Sequence, residues 1–421
     1  MGPELDDEGI ARVLSKFPPN KRKIYSEGLR TPLDLKLHSR VREFVKQENV
    51  PLTPKDKPRA IQFRNPVFLA HLLAAMKPLE EAFYHGRYLF NRHQEFTCAK
   101  GMNTIDRMRC LESLVGSLKN PFVIGLDGSA FDAHVVKQAL KAEWKFYDIA
   151  WKQAGYRSAT IDKMRRMGKQ QLVNRVSGRH EDGFIKYKVS GNRMSGDLNT
   201  GLGNSVLQSL FLATAMKHLQ IPERAWRMLV DGDDAVLVVE HDYVGRCQSL
   251  PGIFSGFSQE VKVTEASRVS LDRMEVIEFC QSRPVLVGDR WRIIRNPYKV
   301  YNGYKQQVLY YMDIHFLKRF LGTIAGPEGI YARGVPVHQE LFRALGRLAG
   351  AKFELLESVQ RRFWIRHCHS IRDKIPESDV TWATRLSYER AFGIGPLMQI
   401  QIEEDLRDLR EDFLPSKVML Q

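Results

Sequence analysis

Cysteine is scarce in this 421-residue chain, and its few thiols are badly spaced for cross-linking. The five (Cys98, Cys110, Cys247, Cys280 and Cys368) are odd in number, widely scattered and include no C-x-x-C pair. Neither a disulfide framework nor a zinc cluster is indicated, and a reducing compartment fits best. His367-Cys368-His369 is a poor metal motif, because adjacent residues alternate in direction on a strand and diverge on a helix. No run reaches the roughly 20 apolar residues that a membrane span needs. The acidic start, M-G-P-E-L-D-D-E-G, lacks the apolar region of a signal peptide. Internal repeats and low-complexity segments are also missing. Acidic residues are the minority charge: 49 Asp and Glu face 64 Lys and Arg, a formal charge of +15. Such an excess favours a polyanionic partner, either nucleic acid or an anionic membrane surface.

What is present suffices for a large core divided into two or three subdomains. Leu35 to Val45 is amphipathic at helical spacing. The stretch that follows is broken by Pro51, Pro54, Pro58 and Pro66 and carries Lys46, Lys55, Lys57, Arg59 and Arg64. Prolines keep it extended while the cations line up beside it, which suits phosphate groups. Phe68 to about Leu118 is helical in pattern. Pro121 to Leu126 is a short apolar run typical of a buried strand, and it ends in D-G-S-A-F-D. Asp127 sits at the strand's end and Asp132 opens the next helix, with helical pattern continuing from Val135 to Ala154. Two carboxylates five residues apart on such a turn can serve a metal and a neighbouring pocket.

Between Gln170 and Val189 two strand-like runs flank S-G-R-H-E-D-G and read as a hairpin. A Gly-rich loop, S-G-N-R-M-S-G-D-L-N-T-G-L-G-N, then feeds a helix from Asn204 to Leu219. Ser195, Thr200 and Asn204 offer hydrogen bonds there for an anion or a sugar hydroxyl. Arg227 to Glu240 places two apolar runs, Met228 to Val230 and Ala235 to Val239, around D-G-D-D. That pattern is two short strands joined by a tight turn with carboxylates at its tip. Asp233 and Asp234 crowd their charges there unless a cation shares the site. Beyond it, Val276 to Cys280 and Pro284 to Val287 suggest a second hairpin, followed by a strand over Trp291 to Ile294. The remainder is mostly helical in pattern, with a basic helix around Gln360 to Arg372.

Taken in order, these motifs resemble those of viral RNA-dependent RNA polymerases, most closely the tombusvirus-like enzymes of positive-strand RNA viruses. Asp127 to Asp132 matches motif A, Ser195-Gly196 through Thr200 to Asn204 matches motif B, and Gly232-Asp233-Asp234 matches motif C. F-V-K-Q-E with K-P-R-A-I-Q-F-R-N-P matches motif F, and I-E-F-C-Q-S-R-P-V matches motif E. The resemblance runs from about Phe44 to Tyr298.

It implies an α+β, right-hand polymerase fold with an antiparallel palm sheet flanked by helices. Residues 1–120 would form the N-terminal region and fingers, 121–153 and 190–304 the palm, 154–189 a fingers insertion and 305–421 the thumb. It implies two-metal-ion nucleotidyl transfer from ribonucleoside triphosphates, copying a viral RNA template. Asp127, Asp233 and Asp234 would hold two Mg²⁺ ions, for which Mn²⁺ can substitute. Asp132, Ser195, Gly196, Thr200 and Asn204 would recognise the ribose, Arg59, Arg64 and Lys57 the triphosphate, and Lys262 would protonate the pyrophosphate. A membrane-anchored viral replication protein is an expected partner, at membrane-associated complexes of the host cytoplasm reached through that partner or through a missing segment. The alternatives are a reverse transcriptase and a non-catalytic RNA-binding protein on a polymerase-like fold.

Overall fold

The computed structural model describes residues 6–46, 59–180, 183–305, 314–350 and 374–409. Lys55, Lys57, His367-Cys368-His369 and the basic helix expected around Gln360 to Arg372 lie outside them. The described chain divides into two units of mixed helix and sheet, an α+β architecture. One holds the described residues up to Lys46, residues 59–101 and Cys110–Arg268; the other holds Met102–Arg109 and the described residues from Val269 onward.

The strands, in chain order, are β1 (Val41–Val45), β2 (Ala60–Arg64), β3 (Pro121–Gly128), β4 (Val173–His180), β5 (Gly183–Ser190), β6 (Trp226–Asp231), β7 (Asp234–Glu240), β8 (Val261–Val263), β9 (Ser267–Arg268), β10 (Ser282–Val287) and β11 (Arg290–Arg295). In the first unit β6, β7, β3 and β8 form an antiparallel sheet in that order, with β9 also on β3. Ala235 to Val239 of β7 are all buried, so both faces of this strand are covered, as its unbroken apolar run requires. Helix Thr200–His218 is apolar nearly all round and is correspondingly interior. Leu202 and Val206 join Phe68, Leu72, Tyr147 and Trp151, whereas Leu207, Phe211 and Met216 join Ile124, Met228 and Leu237. The helix is thus clamped between two hydrophobic clusters and cannot shift without opening one of them.

The first unit's other sheet has the order β2, β1, β4, β5, with β1 and β4 parallel and the remaining pairs antiparallel. β4 and β5 form the hairpin expected between Gln170 and Val189. Leu35 to Val45 is not one helix. It turns helical only over Leu35–His38, and Val41–Val45 is the strand that joins β2 to β4. Val41, Phe44 and Val45 are β-branched or aromatic, and pairing on both edges overrides a short helical period. The helix expected from Val135 to Ala154 begins later, at Lys137, after a separate turn Phe131–His134. The gap is occupied: Val135 O accepts from Asn192 N at 2.7 Å, and Asp132 O accepts from Arg193 N at 2.8 Å.

In the second unit β10 pairs with β11, not with Val276 to Cys280 as the apolar pattern suggests. Cys280 and Gln281 both take positive φ, 51° and 56°, so the chain turns there instead of extending. Helices Pro297–Lys305, Ile314–Ala332, His338–Ala349, Trp382–Phe392 and Pro396–Arg407 complete the described part. Val285, Val287, Ile294, Val337 and Tyr388 share one cluster. No helix among the described residues is long and apolar enough to cross a membrane.

Buried at the start of helix His338–Ala349, the His338 ring donates from Nε2 to Arg295 O at 3.0 Å and accepts at Nδ1 from the Tyr388 hydroxyl at 3.2 Å. Burial, with Arg295 and Arg292 nearby, pushes its pKa down to about 4. The unfolded chain takes up this proton near 6.5 and the folded chain refuses it, so the stabilisation is complete above 6.5 and is lost as pH falls toward 4. Urea midpoints measured across that window should report a loss of up to ~3 kcal/mol. His338→Gln should flatten that step.

Candidate active site

β6 and β7 pair as far as Asp231 opposite Asp234, which leaves Gly232 and Asp233 as a two-residue turn. Gly232 has φ +73°, a conformation that costs an L side chain, and its N–H donates to Ser205 Oγ at 3.0 Å. The interior helix therefore pins the turn. β3 pairs with β7 up to Leu126 opposite Ala235, so the next step of the register sets Asp127 against Asp234. On the other edge of β3, Asp127 lies directly opposite Lys262 of β8, and opposed residues share a face. Three carboxylates and one lysine, distant in sequence, thus collect at one end of one sheet.

Burial, chiefly, holds the Asp233 carboxyl above the usual aspartate range; the charges of Asp132 and Asp127 add to this and Lys100 opposes it. A carboxylate kept partly out of water beside like charges is a poor structural element and a good cation ligand. Asp127, Asp233 and Asp234 supply hard oxygen donors of the kind that a divalent cation takes. Among the described residues no three His, Cys, Asp or Glu side chains converge on a common point.

Lys100 is the site residue that the motifs did not reveal. Ala99 N donates to Val230 O at 2.8 Å and Val230 N to Thr97 O at 2.9 Å, so this segment runs beside β6. Lys100 Nζ consequently reaches Asp231 Oδ1 at 2.7 Å. It also lies 3.4 Å from where a Cβ on Gly232 would stand. In sequence it is one lysine in F-T-C-A-K-G with no periodicity to mark it, and only the apposition to β6 gives it a role.

Asn204 Nδ2 donates to Asp132 Oδ1 at 2.7 Å, joining the second motif A aspartate to the motif B helix. Ser195 and Thr200 do not join them. Ser195 Oγ accepts from Gln62 N at 3.2 Å, and Thr200 Oγ1 donates to Met194 O at 2.9 Å, so both hydroxyls tie down the loop. Gly196 N donates to Gln62 O at 2.7 Å, an approach to β2 that a Cβ would block, meeting the same oxygen at 2.7 Å. Arg64 departs furthest from expectation. It is 1% exposed, and its guanidinium holds Asp197 at 2.9 Å, Ser39 O at 2.5 Å and Asn174 Oδ1. It is a buried strut between β2 and the motif B loop and presents nothing to a triphosphate. Arg59, five residues earlier, stands exposed at the head of β2.

The β2-β1-β4-β5 sheet turns one face to solvent. Register puts Phe63 with Arg42, Arg42 with Ser177, Arg175 with Lys188, Ser177 with Lys186, and Arg179 with Phe184 on that face. Arg42, Arg175, Arg179, Lys186 and Lys188 are exposed, as are Phe44 and Phe184. Among the described strand residues this face carries no acid. Lys186 Nζ lies 4.8 Å from the Phe184 ring centre, and Phe44 and Phe63 meet edge to face at 5.7 Å. Cations interleaved with aromatic rings on an open sheet are the ingredients of a single-stranded nucleic-acid platform.

Replacing Lys100 removes a cation from beside Asp231 and from the turn. Lys100→Met should cost roughly 1–3 kcal/mol in urea denaturation of the metal-free protein. Lys100→Arg should recover much of that loss.

Comparison with known proteins agrees with this geometry. A profile of viral RNA-dependent RNA polymerases matches residues 12–412. The RNA-directed RNA polymerase of Groundnut rosette virus (strain MC1) is 32% identical over 95% of this chain and 45% of its own length. That of Carnation mottle virus is 31% identical over 93% and 50%, and that of Tobacco necrosis virus (strain A) 29% over 96% and 55%. The chain spans about half the length of these relatives. By that match, and by the order in which its strands and loops present the acidic site, the chain belongs to the viral RNA-dependent RNA polymerase family.

Proposed function

We propose that this chain is an RNA-directed RNA polymerase that copies a viral positive-strand RNA genome from ribonucleoside triphosphates. The observation that carries the reading is the register that sets Asp127 and Asp234 side by side at the ends of β3 and β7, next to the turn that holds Asp233, with the Asp132–Asn204 pair in the same unit. The reading assigns a right-hand arrangement: palm around the β6-β7-β3-β8 sheet, fingers around the β2-β1-β4-β5 sheet, and thumb in the helices after residue 305.

Phosphoryl transfer asks little covalent chemistry of the protein and much positioning and charge stabilisation. Asp127 and Asp233, with Asp234 beside them, would hold two Mg²⁺ ions, with Mn²⁺ a workable substitute. When bound, these ions supply activation of the attacking oxygen and stabilisation of the leaving pyrophosphate. The chain's own side chains supply the rest. Arg59 grips the triphosphate, for which a guanidinium's paired donors are suited. Lys262 would give a proton to pyrophosphate, a role supported by its position opposite Asp127. Asp132, held by Asn204, offers a carboxylate oxygen to the ribose 2′-hydroxyl, and a deoxy sugar leaves that oxygen without its partner. The open face of the fingers sheet takes template RNA by its phosphates and by stacking, independent of sequence.

Incorporation of labelled ribonucleotides on a short RNA template with Mg²⁺ tests this directly. The parent chain should give template-dependent product, and Asp233→Ala should lower the rate roughly 10³-fold or more while keeping its circular dichroism spectrum. Synthesis that survives the substitution would overturn the site assignment. RNA binding with no synthesis by the parent would return the non-catalytic alternative.

A second measurement addresses the sheet. Each of Arg42→Ala and Lys188→Ala should weaken binding to unrelated single-stranded RNAs alike. Each should also reduce the slope of log K against log salt by about 0.7 for every phosphate that is no longer neutralised.

A further inference from the structure

A chain of buried polar groups lies behind the Asp132–Asn204 pair. Arg193 and Glu143 form an ion pair with side chains 1% and 0% exposed. Arg193 Nη1 donates to Glu143 Oε1 at 3.1 Å and Nη2 donates to Oε2, while Nε donates to Asn204 Oδ1 at 3.0 Å. Glu143 Oε1 also accepts from the Tyr147 hydroxyl at 2.6 Å and from Asn199 Nδ2 at 3.0 Å. Gln171 Nε2 then bridges Asn199 Oδ1 and Asp197 Oδ2, each at 3.0 Å, and Asp197 pairs with Arg64.

These contacts settle which way the Asn204 amide points. A guanidinium has donors and no acceptor, so the Asn204 atom facing Arg193 must be the oxygen. The NH₂ group is thereby turned to Asp132. Were the amide reversed, its oxygen would face the Asp132 carboxylate and push it away. Glu143 in turn fixes the Arg193 fork in both directions with paired hydrogen bonds. Room for the pair is reserved on the helix itself: a Cβ on Gly203 would collide with Arg193 Nη2 and stand 2.5 Å from Glu143 Oε1. A buried ion pair that merely stabilised the fold could be replaced by apolar side chains.

We infer that the Arg193–Glu143 pair sets ribose-over-deoxyribose selection by locking the Asn204 amide, which holds Asp132 toward the sugar; this rests on the reading of Asp132 and Asn204 as the sugar-sensing pair. Arg193 and Glu143 are positioning residues, since neither reaches the substrate. The measurement is single-nucleotide extension by the full chain with a ribonucleoside triphosphate and its 2′-deoxy counterpart, expressed as the ratio of the two kcat/KM values. General damage lowers both alike and leaves the ratio unchanged.

The double variant Glu143→Met with Arg193→Met removes both charges together and frees the amide to turn. Gly203→Ala displaces the pair without altering charge, and Glu143→Gln keeps the shape while loosening the fork, so a folded variant remains should the double one fail. The ratio should fall roughly tenfold or more in these variants and in Asn204→Ala. A ratio lowered by Asn204→Ala but unmoved by the folded network variants would overturn the inference and leave the sugar-sensing pair standing. A ratio unmoved by Asn204→Ala would remove that pair itself.

Discussion

Mutual repulsion among acids is the constraint that this chain is built to contain. Asp231, Asp233, Asp234 and Asp127 are brought together by strand register, and left alone they would drive the ends of β3 and β7 apart. Three features oppose that. Each strand is anchored along its length by buried aliphatic residues, with Val236 to Val239 fully enclosed. The turn is hydrogen bonded to Ser205 on a helix that two hydrophobic clusters hold in place. Lys100 supplies a cation against Asp231. The Asp233 carboxyl is held above its ordinary range, chiefly by burial, with the charges of Asp132 and Asp127 adding to it.

The second organising feature is polar and lies in the interior. A continuous series of hydrogen bonds and ion pairs runs from Arg64 on β2, through Asp197, Gln171, Asn199, Glu143 and Arg193, to Asn204 and Asp132. Buried groups of this kind cost stability unless they are paired, and a closely paired network admits few alternative arrangements. It connects the sheet that carries β2 to the Asp132–Asn204 pair through groups oriented by their neighbours. Burial keeps the Asp197 carboxyl above its usual range, against the pull of Arg64. Glu143 offsets the cost of burying the Arg193 charge and holds that guanidinium protonated.

The strands that carry the acids were legible because their residues are unambiguous: apolar runs at 121–126, 228–230 and 235–239, each next to aspartates that no core would accept. The interior helix was legible from its length and apolar composition. Less so were the elements whose local pattern fits two periods. Val41–Val45 has residues at helical spacing and becomes a strand because β2 and β4 offer it partners on both edges. Val276 to Cys280 has strand composition and becomes a turn, because β10 pairs instead with the segment following Gly288.

Residue type and order pointed to the family through five motifs taken together, since a carboxylate-tipped turn alone is equally an ordinary polar turn. They also determined the basic character of the partner surface, because charge is a property of composition. Only the tertiary structure could separate the two arginines of β2's neighbourhood. Arg59 and Arg64 are equivalent in sequence, yet one is exposed and the other is sealed against Asp197. It alone could assign Lys100, Glu143 and Arg193, whose roles come from groups 131, 50 and 11 residues away. The reason is physical: a side chain's local sequence fixes what it can donate or accept, but its partner is chosen by the packing that removes water from between them.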